Sequence, residues 1–269
     1  MRRLVDQKPP GAQVAISVLA CSKGAEVYSI LWSIRRARPD LRITLQAVDI
    51  SQEIIDFAME GVYSLKSPAG LNSVDHSGMT EEEKLTWATC RDQGDDQLAS
   101  IFERMDGPEM DGMFDREDDR AKIKSWLKEG IVWRAADVSD PKLIPLLGPQ
   151  DVVVANRFLC HMEPASAERC LRNIAGLVKP GGYIFVSGVD FDVRTKVAKD
   201  MNWKPVSDLM QEVHEGDSSL MTAWPLGWWG VEPFSKDHPD WRIRYASVFR
   251  LHDPVVNAPR DSRETVVVR

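Results

Sequence analysis

Asp49, Asp137, Asn156, Arg157, His161 and Asp190 stand just beyond the apolar runs of this 269-residue chain. Carboxylates there can accept hydrogen bonds from sugar hydroxyls or take up a proton, and a histidine exchanges a proton near neutrality. A different chemistry belongs to Val14–Ser29, VAISVLACSKGAEVYS. Its apolar run ends at the small residues Ala20, Cys21 and Ser22, Gly24 follows, and Val27, Ile30, Leu31 and Ile34 then recur at helical spacing. A buried strand, a turn of small side chains and an amphipathic helix make a nucleotide-type binding turn. Small residues admit a ligand to backbone N–H groups, and the helix aims its positive end at the same place. One glycine stands in the turn, so the G-x-G-x-x-G fingerprint is unmet, which argues against a nicotinamide enzyme.

Asp49 closes the next apolar run, ITLQAVD (Ile43–Asp49), about 30 residues after the first begins, where a carboxylate can hold both hydroxyls of a ribose. A helix-capping aspartate is the plainer alternative, but Ser51 is already available as the cap, so ribose binding is favoured.

These side chains need elements to position them. The first helix closes at Arg35, Arg36 and Arg38 before Pro39; the second carries Ile54, Ile55, Ala58 and Met59 inward and ends near Gly61. Further strands are expected at Ile131–Ala135, Asp151–Ala155 and Tyr183–Ser187, with a helix at Ala165–Val178 that Lys179-Pro180-Gly181-Gly182 stops. Another helix is expected at Val206–His214, and a half-exposed strand at Trp241–Arg250. Alternating strands and helices predict an α/β fold with a mostly parallel, doubly wound sheet and right-handed crossovers. Ligands of such sheets sit at the carboxyl ends of the strands, at the switch in strand order. That rule selects Ala20–Gly24, Asp49, Asp137, Asn156–His161 and Gly188–Asp190.

A net charge of −7 without a basic cluster argues against nucleic acid, while 43% hydrophobic residues suffice for a real core. Cys21, Cys90, Cys160 and Cys170 lack metal-ligand spacing and read as free thiols of a reducing cytoplasm. The start, MRRLVDQKPPGAQ, lacks the apolar centre of a signal peptide, and no run is long enough to span a bilayer. A soluble cytoplasmic protein is expected, with residues 1–13 a loosely held leader, 14–256 the folded domain and 257–269 a flexible tail. Within the domain, 63–130 reads as a polar insertion forming a lid or substrate wall, with helices at Glu81–Trp87 and Asp96–Arg104. Its acidic run between Asp106 and Arg120 reads as solvated surface, since it lacks the calcium-loop pattern. Oligomeric state is left open.

The segments ACSKGAEVYSI, VDISQEIIDFAMEGVY, DVVVANRFLCHM and LVKPGGYIFVSG, in this order, resemble the S-adenosylmethionine-binding domain of the CheR-type chemoreceptor methyltransferases. The resemblance covers about Val14–Asp190. Its most specific part is C-S-x-G-x-E-x-Y-S, formed by Cys21, Ser22, Gly24, Glu26, Tyr28 and Ser29. It implies a Rossmann-like class I methyltransferase fold, with an antiparallel strand near the C-terminus, and S-adenosyl-L-methionine as cofactor. The family methylates glutamate side chains of receptor proteins. By resemblance, Ala20 and Cys21 line the cofactor through their backbone, in the turn completed by Ser22 and Gly24. Glu26 faces the methionine ammonium, Asp49 holds the ribose and Ile50 flanks the adenine. Asp137, followed by Val138, lies against the adenine amino group. Asn156-Arg157 reverses the family's Arg-Asn order. The family's helical N-terminal domain has no counterpart in the dozen or so residues before the first strand, and Cys160-His161-Met162 replaces its tyrosine after the fourth strand. These departures leave the acceptor open.

A carboxylate acceptor is already nucleophilic, whereas a hydroxyl or amine must lose a proton. His161 and Asp190 are the candidate catalytic groups, and His214 or Glu215 could enter from the C-terminal segment. HEGD (His214–Asp217) lacks a second histidine at helical spacing, so no metal is expected. Trp224, Trp228, Trp229 and Phe234 either wall an apolar acceptor or form a satellite core. Arg194 pairs either with an acidic substrate or, as a surface ion pair, with Asp190 and Asp192. The expected activity is methyl transfer to a small-molecule or protein carboxylate or hydroxyl. Chemoreceptor glutamate methylation and a non-catalytic binding module are the alternatives.

Overall fold

The computed structural model describes residues 1–65, 98–102, 105, 107–216 and 227–251. Its strands are β1 (Gln13–Leu19), β2 (Arg42–Asp49), β3 (Val62–Ser64), β4 (Phe114–Glu117), β5 (Arg120–Ile123), β6 (Ile131–Ala135), β7 (Gln150–Asn156), β8 (Val178–Ser187), β9 (Lys204–Pro205) and β10 (Val248–Arg250). The helices used below are α1 (Arg2–Val5), α2 (Ala25–Ala37), α3 (Gln52–Glu60), α4 (Pro164–Ala175), α5 (Phe191–Asp200), α6 (Met210–Glu215) and α7 (Trp241–Arg244).

Seven strands form one sheet in the order β6-β2-β1-β7-β8-β10-β9. β6, β2, β1, β7 and β8 run parallel, and β10 is antiparallel to both its neighbours. This is the class I methyltransferase fold that the sequence leads one to expect. Strand order reverses between β1 and β7, which makes the carboxyl ends of those two strands the natural ligand position.

Side-chain alternation builds a core on each face. Val14, Ile16 and Val18 of β1 with Val152 and Val154 of β7 face one core, which α2 completes with Val27, Leu31 and Ile34. Leu19, Val153 and Ala155 face the other, filled by Leu171 and Ile174 of α4 and Val197 of α5. The strands are apolar on both faces because both are covered.

Between β3 and β6 the described residues include a second, three-stranded antiparallel sheet in the order β3-β5-β4. Part of the run expected to be a solvated acidic surface is thus a hairpin. Phe114, Ala121 and Ile123 point inward and are buried, while Asp115, Glu117 and Asp118 stay exposed. Phe114, Phe102 and Tyr63 meet edge to face with ring centroids 5.0 to 5.9 Å apart. Of the two helices expected here, Leu98–Ile101 realises part of Asp96–Arg104. Glu81–Trp87 lies outside the described residues, as does 257–269.

Four other expectations are corrected. Residues 1–13 are held, not loose: Val5 of α1 is buried, and Arg38 donates to the carbonyls of Val5 (2.9 Å) and Lys8 (3.1 Å). Lys8 and Lys179 both pair with Asp151, at 2.8 and 3.0 Å. The helix at 165–178 stops at Ala175, and Val178 already belongs to β8. Trp241–Arg250 is not one strand. It opens with α7 and reaches extended form only at Val248. Neighbouring strand residues point to opposite faces, yet Arg244 and Tyr245 both bind Glu232, at 2.6 and 2.9 Å, which a helical turn permits. The helix expected at Val206–His214 shortens to α6. Among the described residues no helix is long and apolar enough to cross a membrane.

Candidate functional site

The turn after β1 is strained. Ala20 (φ 53°) and Ser22 (φ 46°) join Gly24 (φ 85°) in the left-handed region, where a side chain normally costs about 1–2 kcal/mol. Hydrogen bonds hold it there. Cys21 N–H donates to Val48 O (2.9 Å), Gly24 N–H to Cys21 O (3.0 Å), and the Tyr63 hydroxyl to Lys23 O (2.8 Å). Asp49, buried at the end of β2, accepts from Ser22 N–H through Oδ2 at 2.9 Å and from Ser51 N–H through Oδ1 at 3.2 Å. Ser51 is free to cap α3, accepting from Ile54 N–H. Sequence reasoning placed Asp49 at this edge but missed its hold on the neighbouring turn, a tertiary contact that no local pattern records.

Glu26, in the first turn of α2, accepts from Asn156 Nδ2 at 2.6 Å, and Asn156 Oδ1 accepts from Ser187 Oγ at 2.9 Å. The carboxyl ends of β7 and β8 are thereby joined to the start of α2. Desolvation raises the Glu26 carboxyl above its usual range, opposed by the Asn156 bond and by the charge of Arg157. Arg157, itself exposed and left-handed (φ 57°), donates its N–H to Ser187 O at 2.9 Å.

Ile50 is exposed on the rim beside Asp49. Ala136 N–H donates to Asp49 O at 2.8 Å, bringing the end of β6 alongside. There Asp137 is exposed and accepts from Ser139 N (2.8 Å) and Ser139 Oγ (2.7 Å), a local turn that uses one of its two oxygens. Val138 is half-buried against the core. The thiols are poor nucleophiles: burial pushes Cys21 and Cys160 up to about 12, with the Asp49 charge adding to the effect at Cys21. Among the described residues no group of three or more histidines, cysteines or acids is disposed to hold a metal.

Beyond β7 the chain forms a single turn, Leu159–His161, and beyond β8 it reaches Asp190. Both border a cleft of about 250 Å³, lined also by Cys160, Met162 and Glu163. His161 is exposed, and its ring meets Trp229 edge-on at 5.4 Å. Asp190 caps α5, accepting from Asp192 N–H (2.8 Å) and Val193 N–H (3.1 Å) through Oδ1.

The C-terminal candidates lie elsewhere. His214 Nε2 donates to Glu232 O at 2.7 Å, and its ring sits among Phe191, Phe234 and Tyr245. Arg194 makes neither of the expected pairs. It is buried and donates to the carbonyls of Val186 and Arg244, and burial brings its guanidinium down to about 10. Arg244 is instead the residue that takes up an acid, gripping both oxygens of Glu232 and also Asp192. The expected aromatic cluster divides, Trp229 going to His161 and Phe234 to the His214 group. Trp224 and the Trp228 ring lie outside the described residues.

Residues 1–86 match the family described as "CheR methyltransferase, SAM binding domain", and residues 108–186 match a "Methyltransferase domain". A "Chemotaxis protein methyltransferase" of Vibrio parahaemolyticus serotype O3:K6 is 24% identical over 172 residues, 62% of this chain and 50% of that protein. "Chemotaxis protein methyltransferase 1" of Vibrio cholerae serotype O1 matches with the same identity and coverage. The match therefore spans half the length of these curated relatives. Among solved structures, the N-methyltransferase NodS of Bradyrhizobium japonicum WM9 has 12% identity and a TM-score of 0.36, over 72% of this chain and 67% of that one. Magnesium protoporphyrin IX methyltransferase of Synechocystis PCC 6803 has 12% identity and a TM-score of 0.38, over 76% and 64%. By its two domain matches and its sheet order, the chain is an S-adenosyl-L-methionine-dependent methyltransferase domain whose first 86 residues resemble the SAM-binding domain of the CheR methyltransferases.

Proposed function

We propose that this domain transfers a methyl group to a carboxylate or hydroxyl of a small molecule or protein seated in the cleft of His161 and Asp190. The observation that carries the reading is the placement of that cleft. It begins three residues beyond Asn156 and ends three beyond Ser187, the side chains that link β7 and β8 to Glu26.

The residues fit the cofactor. A turn of small side chains, its Cys21, Ser22 and Gly24 N–H groups held within the protein, has a buried carboxylate (Asp49) on one side and a desolvated one (Glu26) on the other. In this reading Ala20, Cys21, Ser22 and Gly24 form the cradle, Asp49 takes the ribose, and Glu26, with Asn156 and Arg157 beside it, takes the methionine ammonium. Ile50, Asp137 and Val138 border the adenine. When bound, the cofactor supplies an electrophilic methyl group on a sulfonium. The chain's contribution is alignment and exclusion of water. His161 removes the proton from a hydroxyl acceptor and is not needed for a carboxylate. Asp190 shapes the cleft through its cap on α5.

Transfer of tritiated methyl from the labelled cofactor tests this. Label in a small-molecule fraction of an extract supports a small acceptor. Base-labile label on protein supports a carboxyl ester, the outcome favoured if the domain shares the glutamate methylation that its resemblance to the chemoreceptor methyltransferases implies. Binding of S-adenosylhomocysteine without turnover on any acceptor would mark a non-catalytic module and defeat the proposal.

A further inference from the structure

Asn156 stands between two partners of different character. Its Nδ2 donates to the Glu26 carboxylate at 2.6 Å, and its Oδ1 accepts from the Ser187 hydroxyl at 2.9 Å. Asn156 and Ser187 are direct neighbours on the parallel strands β7 and β8, and Arg157 N–H donates to the Ser187 carbonyl at 2.9 Å. The spacing of the three groups is therefore fixed by backbone. Charge fixes the direction. An ionised carboxylate only accepts, so the amide must present its NH2 to Glu26 and its oxygen to Ser187, whose hydroxyl must then donate.

We infer that Ser187 and Asn156 are positioning residues for the methionine end of the cofactor: the serine hydroxyl sets the amide, and the amide sets the Glu26 carboxylate that receives the ammonium. The inference rests on the reading of Glu26 given above. It adds a residue, Ser187, the last of β8, which the sequence reading passed over in favour of Gly188–Asp190 just beyond it. A half-buried carboxylate that must meet a cation gains from a donor holding it in one rotamer, because the ligand then pays no ordering cost. The carboxylate charge orients the amide, and the serine hydroxyl, donating to the amide oxygen, holds it there; without that bond the amide is free to turn away from Glu26.

Calorimetric titration with S-adenosylhomocysteine and with 5′-methylthioadenosine, which lacks the amino-acid end, tests the inference. Ser187→Ala and Asn156→Ala are expected to weaken S-adenosylhomocysteine three- to tenfold and leave methylthioadenosine unchanged. Ser187→Thr, which keeps the hydroxyl, is expected to restore the loss. Equal weakening of both ligands would show a merely structural role for Ser187 and overturn the inference. So would wild-type affinity in Ser187→Ala while Glu26→Gln loses S-adenosylhomocysteine selectively, an outcome that leaves the Glu26 reading intact. If Glu26→Gln itself binds both ligands normally, the Glu26 reading fails and the relay with it.

Discussion

The hydroxyl of Tyr63 donates to the carbonyl of Lys23 at 2.8 Å, fastening the small antiparallel sheet to the strained turn after β1. Tyr63 is wholly buried and also packs edge-on against Phe57, Phe102 and Phe114. Tyr63→Phe keeps the rings and removes one hydrogen bond to a half-buried residue, a loss of about 0.5–1.5 kcal/mol. Urea unfolding should show a lower midpoint, and S-adenosylhomocysteine should bind more weakly because the turn relaxes. An unchanged midpoint and affinity would mean the turn holds without the small sheet.

Asp49 bridges Ser22 and Ser51, so two substitutions separate its roles. Asp49→Asn retains an oxygen for Ser22 N–H but turns its NH2 toward Ser51 N–H, so it should lose less stability than Asp49→Ala while binding S-adenosylhomocysteine at least tenfold more weakly. Asp49→Ala should lose both stability and affinity, since a hydrogen bond to a charged group contributes about 1.5–3 kcal/mol. Calorimetry showing unaltered affinity in both variants would exclude ribose binding by Asp49.

Much of this arrangement was legible from local signals. Ser51 three residues before Ile54, Gly61 after the helix, and the apolar run at Ile131–Ala135 each announce an element by chemistry that acts within a few residues. What sequence reasoning missed depends on distant partners. The leader looked loose because Pro9, Pro10 and Gly11 suggest it, yet Arg38 reaches the carbonyls that pin it. Trp241–Arg250 alternates like a strand, but Glu232 gathers Arg244 and Tyr245 to one side. Arg194 looked like a surface cation beside two aspartates and is instead enclosed under Phe191, its guanidinium 5.2 Å from the ring.

Gly24 is required by space as well as by conformation. A Cβ at this left-handed position would lie 3.2 Å from Ala58 Cβ and 3.2 Å from Tyr28 Cε2. Gly24→Ala should therefore destabilise the fold by about 1–2 kcal/mol from backbone strain, with the crowding added. Thermal unfolding of the free protein measures it. A variant as stable as wild type would show that α2 and α3 can separate at no cost.

His161 is exposed and touches Trp229, so its removal should spare the fold. For a hydroxyl acceptor, His161→Ala is expected to lower kcat by about 100-fold or more, the usual contribution of a positioned base, with S-adenosylhomocysteine affinity unchanged. Turnover equal to wild type would assign the cleft to an acceptor that needs no base.

His214 makes stability depend on pH. Burial lowers its pKa below the ordinary 6.5; the Arg194 charge acts in the same direction, while the bond to Glu232 O and the charges of Glu215 and Glu232 oppose it. Between the lowered value and 6.5 the unfolded chain holds a proton on this ring that the folded chain does not. Stability therefore falls as pH drops through that window, by at most about 1.4 kcal/mol per pH unit for one proton. The depressed carboxyls of Glu232 and Asp151 act at lower pH, and the raised Glu26 carboxyl contributes in the opposite sense but equally in both proteins compared. His214→Gln keeps a donor for the Glu232 carbonyl and cannot titrate. The difference in unfolding free energy between wild type and His214→Gln should shrink or reverse as pH is lowered from 7.5 to 5, and a difference constant over that range would show that His214 takes up its proton equally well in the folded chain.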